Sequence, residues 1–153
     1  MLKKPVVLLA VIALATVAAA SCNREIKPKK KGVFVVSRDV LSELTPVALD
    51  TEFTEEGFAR TYFTTEPKVA VNGSKFYFIL YGDYKPFELK KFSIIDNRYE
   101  EDVAADTYNI ATKGMEGERE MFRALSMKAL PVGTYMLSVT QDDATLHYTF
   151  RAE

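Results

Sequence analysis

The sequence lacks most of the side chains from which catalytic and metal centres are built. It has one cysteine, Cys22, and one histidine, His147, in 153 residues. Zinc sites of the usual type need several Cys or His ligands, so this supply excludes them. No Gly-x-Ser-x-Gly pattern occurs, and a catalytic triad needs a base held between a nucleophile and a carboxylate. We therefore expect a protein that is not an enzyme and has no cofactor.

Disulfides and tryptophan are missing as well. A lone cysteine excludes an internal disulfide, although small secreted domains often rely on such bridges. The folded part must therefore be held together by the packing of its core. The sequence has ten Phe and eight Tyr but no Trp. Because sugar-binding faces usually include Trp, the aromatic residues favour a core with tyrosines at its rim, or a contact face for another protein.

The first 22 residues have the layout of a bacterial export signal. A cationic start is followed by an apolar run over residues 6 to 20, interrupted only by Thr16, and then by small residues. The stretch Ala19-Ala20-Ser21-Cys22 resembles the lipobox of bacterial lipoproteins, in which the signal is removed and the cysteine is acylated. The family pattern usually has Leu where this chain has Ala19, so the match is looser at that position.

The lipobox resemblance implies that residues 1 to 21 are removed and that Cys22 carries diacylglycerol and palmitate. Asn23 stands where many inner-membrane lipoproteins have Asp, which favours the outer membrane, on its periplasmic or surface face. Two alternatives stay open: an ordinary signal peptide cut after Ala20, and an uncleaved anchor. The anchor is disfavoured because a 15-residue helix reaches about 22 Å, against a hydrocarbon core of roughly 30 Å.

Charge is divided unevenly along the chain. Residues 22 to 32 carry five cations and one acid, with Pro28 and Gly32 as breakers, which predicts an extended, solvated tether. From Val33 onward, 13 Lys and Arg stand against 20 Asp and Glu, a net charge of −7. An acidic body argues against nucleic acid as a partner. A basic tether beside a lipid would add attraction to anionic headgroups.

Residues 33 to 153 predict strands and hardly any helix. Apolar side chains alternate along residues 75 to 81, 87 to 96, 134 to 140 and 145 to 151. Asn72-Gly73 predicts a tight hairpin turn before residues 75 to 81, whose two apolar faces predict a central strand. A shift in the alternation predicts a bulge near Lys90-Lys91. Residues 37 to 44 fit either a short helix or a strand.

The C-terminal strands carry a second resemblance. Leu130-Pro131-Val132-Gly133 predicts a corner, followed by Tyr135 and alternating apolar residues. This resembles the penultimate strand of immunoglobulin-like and fibronectin-type sandwiches, with Tyr135 in the tyrosine-corner role. Transthyretin-like and other sandwiches end similarly. The sequence thus predicts an all-β fold: one antiparallel, immunoglobulin-like β-sandwich of about seven strands over residues 33 to 153.

Two groups of residues are candidate sites. Aromatic residues around Gly82 predict a partner face that consists of Tyr77, Tyr81, Tyr84 and Phe87. The densest acids offer the hard oxygen ligands that calcium prefers, and this candidate metal site consists of Asp96, Glu100, Glu101, Asp102 and Asp106. The EF-hand pattern is absent, and a run of acids is usually a solvated loop. The sole histidine, His147, is expected to be an ordinary solvent-facing strand residue.

Taken together, these features predict a lipid-anchored protein of the cell envelope. Its sandwich would dock another envelope protein through the aromatic face or through an exposed edge strand. The alternative is an envelope lipoprotein that binds a metal ion, a glycan or a peptide through a loop site. A flat aromatic face would favour docking, clustered carboxylates would favour ligand binding, and a deep polar pocket around His147 would favour an enzyme.

Overall fold

The computed structural model describes residues 25 to 153, which form thirteen β-strands and contain no helix. The predicted export signal and Cys22 lie outside the described residues. The strands are β1 (Gly32–Ser37), β2 (Val40–Glu43), β3 (Pro46–Val47), β4 (Asp50–Phe53), β5 (Ala59–Phe63), β6 (Ala70–Val71), β7 (Phe76–Tyr81), β8 (Lys85–Ile95), β9 (Arg98–Glu101), β10 (Ile110–Gly114), β11 (Met121–Ser126), β12 (Gly133–Gln141) and β13 (Ala144–Ala152).

The strands form two sheets that pack as a sandwich, so the predicted all-β sandwich is confirmed. The five-stranded sheet has the order β10-β11-β7-β1-β2. The eight-stranded sheet has the order β3-β13-β12-β8-β9-β5-β4, and β6 adds to β13 as the one parallel pair within the described chain. The expected number of about seven strands was too low, because strands of two to four residues are too short to show alternation.

The main core lies between the two sheets and is rich in aromatic rings. Phe78 of the five-stranded sheet meets Phe150 of the eight-stranded sheet edge-on, with ring centroids 5.4 Å apart. The Tyr135 ring lies 5.9 Å from that of Phe150, and all three side chains are fully buried. Burying each large apolar side chain stabilises the fold by roughly 1.5–3 kcal/mol. This packing provides the stabilisation that disulfides provide in many secreted domains.

The predicted tyrosine corner is present. The Tyr135 hydroxyl donates a hydrogen bond of 2.7 Å to the carbonyl oxygen of Pro131, four residues upstream. Burial raises the pKa of this hydroxyl, and a hydrogen bond with Tyr108 raises it further. The hydroxyl therefore stays protonated and keeps the corner closed at any ordinary pH.

Strand β7 is central, as its two apolar faces predicted. It pairs with β1 on one side and with β11 on the other. Phe78 and Leu80 point into the main core. Ile79 points to the opposite, outer face of the five-stranded sheet, where a second apolar cluster is buried. Its buried members are Phe34, Val36, Ile79, Met115 and Met121.

The hairpin predicted at Asn72-Gly73 is wrong, although the turn itself exists. The Asn72 side-chain oxygen accepts a hydrogen bond from the Ser74 amide, which fixes the turn. The preceding strand, β6, joins the eight-stranded sheet, whereas β7 joins the five-stranded sheet. The turn is therefore a crossover between the layers of the sandwich. At this crossover the Leu130 amide donates a hydrogen bond of 2.9 Å to the Gly73 carbonyl oxygen, and the Gly73 amide donates one of 3.5 Å to the Glu153 carbonyl oxygen.

The tight hairpins lie elsewhere. Arg38 and Asp39 join β1 to β2, and Asp96 and Asn97 join β8 to β9. All four residues have positive φ angles, between 51° and 63°, as a type I′ turn requires. Residues 37 to 44, which fitted either a helix or a strand, are thus part of a β-hairpin.

The eight-stranded sheet must roll on itself. Strands β3 and β4 lie at opposite ends of its order, yet only Ala48 and Leu49 separate them in the chain. The Cα atoms of Val47 and Asp50 are therefore at most about 11 Å apart. In a flat sheet of seven strands, the two edges would lie roughly 29 Å apart at the usual strand spacing.

A third apolar cluster fills the inside of this roll. Its buried members are Phe63, Phe92 and Met136, and the rings of Phe63 and Tyr99 stack at 4.8 Å. Phe92 thus belongs to the roll, whereas Leu89 belongs to the main core. The bulge predicted near Lys90-Lys91 is therefore wrong there: the shift in alternation reflects two cores on opposite faces of β8.

The bulge of β8 lies at Phe87. The pairing with β12 shifts between Ser138, opposite Glu88, and Val139, opposite Pro86. Phe87 is the extra residue, and 56% of its surface is exposed. A bulge re-aims a side chain at the edge of a ladder.

The described part of the predicted tether is not free in solvent. Ile26 packs against the cluster on the outer face of the five-stranded sheet, and Pro28 is buried. We call residues 25 to 31 the strap. The prediction missed its attachment because a single isoleucine among charges gives no periodic signal.

Gly73→Ala should destabilise the protein. A Cβ at this position would lie 2.2 Å from the Leu130 carbonyl oxygen, so the crossover would have to move. We expect the free energy of unfolding to fall by about 2 kcal/mol or more, measured by urea denaturation. Gly114→Ala is the control, since no atom lies within 4 Å of its Cβ, and it should be neutral or stabilising by up to about 1 kcal/mol. Equal effects of the two changes would contradict the tight crossover.

Candidate functional site

The main cleft lies beside the first half of β8. Its volume is about 610 Å³. One wall is formed by residues 86 to 91 of β8, and the other by the loop of residues 102 to 109 that joins β9 to β10. Several candidate residues from the sequence line it together: Phe87, Glu101, Asp102 and Asp106.

The cleft exists because β8 has an incomplete edge. Strand β9 pairs with β8 only from Phe92 to Ile95. Before Phe92, the same edge is held at two points, by the Asp102 amide on the Lys91 carbonyl oxygen at 2.9 Å and by a bridge between Leu89 and Tyr108. No bridge to the loop reaches Phe87, so an unpaired stretch of backbone faces the opening. Such an edge is a template for another extended chain.

Two apolar side chains stand at the opening of the cleft. Phe87 is 56% exposed, and Val103 on the opposite wall is 89% exposed. Both line the cleft. Water-facing side chains of this size beside an unpaired strand edge are typical of interaction surfaces.

The β8 wall of the cleft carries two lysines in different states. The Lys90 amino group lies 3.0 Å from Glu88 and 2.5 Å from Glu101. Partial burial acts to lower the pKa of Lys90, but the hydrogen bonds and charges of the two glutamates outweigh it and raise the pKa. Lys91 forms no salt bridge with any residue from 25 to 153. Lys91 lines the same wall, has its amino group close to Gly133 of β12, and has no acidic partner there.

The structure does not bring the predicted partner face together. Tyr77 and Tyr81 lie on the outer face of the five-stranded sheet, beside the strap. Tyr84 packs against the main core from the loop after β7. Phe87 lies in the other sheet, at the cleft. The four residues are close in sequence, but the chain changes sheets between β7 and β8, so a single aromatic face was the wrong expectation.

The predicted metal site does not converge either. Within residues 25 to 153, no group of three or more suitable side chains is placed to hold a metal ion. Asp96 lies in the β8–β9 turn, and Glu101 is bound to Lys90. Asp102 accepts hydrogen bonds from the Ser93 hydroxyl at 3.1 Å and from the Ala104 amide at 3.1 Å. Asp106 lies further along the loop wall of the cleft.

Glu100, the remaining acid of that group, is the buried member of an ion-pair network. It lies 2.7 Å from Arg98 and 3.7 Å from Arg60, and only 7% of its side chain is exposed. Arg98 also binds Glu52 through two hydrogen bonds and stacks over the Tyr62 ring at 4.0 Å. The hydrogen bond from Arg98 holds the pKa of Glu52 below its usual value. The network joins β4, β5 and β9 on the outside of the roll.

His147 is not the solvent-facing residue that the sequence predicted. Its Nδ1 atom lies 2.8 Å from the hydroxyl of Ser138, a buried residue on the neighbouring strand. Burial lowers the pKa of His147, and the negative charge of Glu88 offsets only part of that effect. His147 is not among the residues that line the main cleft. The pair links β12 to β13 inside the rolled sheet.

Little in the sequence predicted the cleft. Lys90 and Lys91 marked a break in alternation and Phe87 belonged to the predicted aromatic face, but nothing indicated the wall opposite them. Val103 and Tyr108 come from a loop without a motif. Which loop covers which strand edge depends on long-range pairing.

Comparison with known proteins does not place this chain in a family. No protein-family model matches the chain, and neither the curated proteins nor the solved structures contain a match. Between residues 25 and 153, no helix is long and apolar enough to cross a membrane.

Arg98→Gln should lower the melting temperature by several degrees. The change leaves Glu100 buried with only the longer contact to Arg60, and an unpaired buried charge is strongly destabilising. Thermal unfolding followed by circular dichroism measures the effect. Lys30→Gln is the matched control, because it removes an exposed pair with Glu43, and such pairs contribute little. A similar melting temperature for both variants would show that the network does not contribute to stability.

Stability should fall as the pH drops from about 7 to 5. Because burial lowers the pKa of folded His147 below its ordinary value of 6.5, the unfolded chain takes up a proton first. The stability that neutral His147 provides is complete above about pH 6.5 and is lost as the pH falls towards the folded pKa. Urea denaturation at several pH values measures this slope. His147→Gln should flatten it; an unchanged slope in the variant would assign it to other groups.

Proposed function

We propose that this protein is a lipid-anchored, non-catalytic docking module of the bacterial cell envelope, and that the main cleft receives an extended segment of a partner envelope protein. The observation that carries the proposal is the unpaired edge of β8 at Phe87, between two exposed apolar side chains. The cleft thus offers unpaired backbone groups for strand pairing and apolar side chains for hydrophobic contact. The partner is a protein and not a nucleic acid, in keeping with the acidic body.

The chemistry of the cleft defines the segment it would hold. An extended strand can add its backbone hydrogen bonds at Phe87, which is the β-strand-addition mode of recognition. An apolar side chain of the segment would lie between Phe87 and Val103. An acidic side chain would pair with Lys91. Pro86 has no amide hydrogen, so it ends the open edge and fixes where the added strand can start.

The anchor is proposed from the sequence pattern at Cys22. Its residues lie before the described part of the chain, so the support is the export-signal layout and the small residues before the cysteine. A lipid on Cys22 would hold the module at a membrane, with the outer membrane favoured by Asn23. Two-dimensional confinement raises the effective concentration of a partner in the same membrane.

The module is proposed to be non-catalytic because its one histidine has a structural role. A general base must reach the proton that it removes. Here the His147 ring is bound to the buried Ser138 and lies away from the lining of the main cleft.

Ligand binding is the second candidate function. The cleft volume of about 610 Å³ lies within the range of small-molecule sites. Such sites are usually lined by apolar side chains, however, whereas six of the fifteen residues that line this cleft are charged. Among the three ligand classes that the sequence left open, a peptide fits this lining better than a metal ion or a glycan.

A photo-cross-linking amino acid at position 87 tests the docking proposal in cells. We expect a discrete adduct with one envelope protein at this position. The matched control is position 53, since Phe53 is even more exposed but lies away from the cleft, and it should give no such adduct. Lys91→Glu should weaken the adduct several-fold, because it repels an acidic segment. Equal adducts at positions 53 and 87, or none at 87, would refute the docking site.

A further inference from the structure

The strap covers the outer face of the five-stranded sheet. Ile26 packs against the apolar cluster around Ile79, and Tyr77 and Tyr81 flank it on the same face. Pro28 is buried as well. Strand β1 then begins at Gly32, opposite Tyr81. The strap therefore folds back over the sheet that it leads into.

Ion pairs hold the strap along its length. Glu25 lies 2.8 Å from Arg123, whose guanidinium stacks on the Tyr77 ring at 4.5 Å. Lys27 lies 3.3 Å from Glu118, and Lys31 lies 3.4 Å from Glu120. Each exposed pair contributes little to stability by itself, but three of them act together with the packing of Ile26.

This attachment shortens the connection to the proposed lipid. Only three residue steps separate Cys22 from Glu25, a reach of about 11 Å at most. A free tether from Cys22 to Gly32 would reach roughly 36 Å. The outer face of the five-stranded sheet is thus the part of the body that a lipid on Cys22 holds nearest to the membrane.

Charge is segregated between the two halves of the body. The five-stranded sheet with the strap and its loops (residues 25–45, 72–84 and 110–128) has ten Lys and Arg against seven Asp and Glu, a net charge of +3. The rest of residues 25 to 153 has seven against fourteen, a net charge of −7. An anionic membrane surface attracts the first half and repels the second.

The same outer face exposes side chains suited to a membrane interface. Leu125 points to this face, as Met121 and Arg123 do, and is 42% exposed. Met127, just beyond β11, is 66% exposed. Tyr77 and Tyr81 are partly exposed there, and tyrosine is enriched at the level of lipid headgroups.

We infer that the outer face of the five-stranded sheet, together with the strap, rests against the anionic leaflet to which Cys22 is anchored. The acidic rolled sheet then points into the aqueous phase. This inference rests on the proposed lipid at Cys22 and adds to it a fixed orientation of the body. A module on a loose tether would have no preferred face.

Single tryptophans report the orientation, because the chain has none of its own. Leu125→Trp and Met127→Trp report from the outer face, and Val103→Trp reports from the rolled sheet. The full-length gene is expressed, and the processed protein is purified from membranes. It is then placed in vesicles of phosphatidylethanolamine and phosphatidylglycerol that contain a brominated phosphatidylcholine. Bromine quenches tryptophan fluorescence only at short range.

We expect quenching of both outer-face reporters to exceed that of Val103→Trp several-fold. Equal quenching of all three, or stronger quenching at position 103, would overturn the orientation. Met127 lies outside the strands and is exposed, so its variant reports even if Leu125→Trp folds poorly.

The anchor and the orientation can fail separately. Intact mass shows whether Cys22 carries lipid, which tests the proposed function. If it does not, a phospholipid maleimide attached to Cys22, the only thiol, supplies the anchor. The orientation is then read on the same vesicles and stands or falls by the quenching pattern.

Release of the strap gives a further test. Glu118→Gln with Arg123→Gln removes the partners of Lys27 and Glu25 and should reduce quenching at position 127 by at least about half. Arg151→Gln is the control, because it removes an exposed pair with Glu66 in the other half of the body. Quenching that survives release of the strap would show that the short connection does not orient the body.

Discussion

Ala48 and Leu49 are the only residues between two strands that end up at opposite edges of one sheet, and this short connection shapes half of the molecule. The eight-stranded sheet cannot stay open, so it rolls and encloses a core of its own around Phe63 and Phe92. Strand β9 follows the roll and leaves β8 after a few paired residues. The chain then returns as a loop, and the gap between that loop and β8 is the main cleft.

The two cores on opposite faces of β8 explain how a body without disulfides keeps one strand register. Strand β8 contributes Leu89 to the main core and Phe92 to the roll, so a one-residue slip in its register would turn both side chains to the wrong face. The Arg98 network closes the outside of the roll, and the tyrosine corner fixes the start of β12.

Much of the fold could be predicted from local patterns. The period-two alternation gave the all-β class and the C-terminal pair of strands, and the two apolar faces of β7 gave its central position. The corner before Tyr135 gave a hydrogen bond that the structure contains. These features depend on residues within a few positions of one another, so a single sequence carries them.

The rest depended on contacts between distant residues. The acids around Glu100 fit a metal site by sequence alone, because the burial of Glu100 and its contact with Arg60 depend on β5, which comes 40 residues earlier in the chain. The prediction of a single aromatic face was wrong because no local sequence pattern shows that β7 and β8 belong to different sheets. The attachment of the strap was not predicted for the same reason, since its partners Glu118 and Arg123 follow about 90 residues later or more. Whether the body docks a protein or binds another ligand stays a proposal.

The pairing of β3 with β13 has a consequence for how the protein is made. Val47 pairs with His147 across 100 residues, and β1 finds β7 only after some forty. Closing such long loops costs entropy before stabilising contacts form. We therefore expect folding on the scale of milliseconds to seconds. Neither the roll nor the main core can be completed until β13 has left the ribosome. During synthesis the chain therefore stays unfolded, a state in which a polypeptide can pass through a narrow channel.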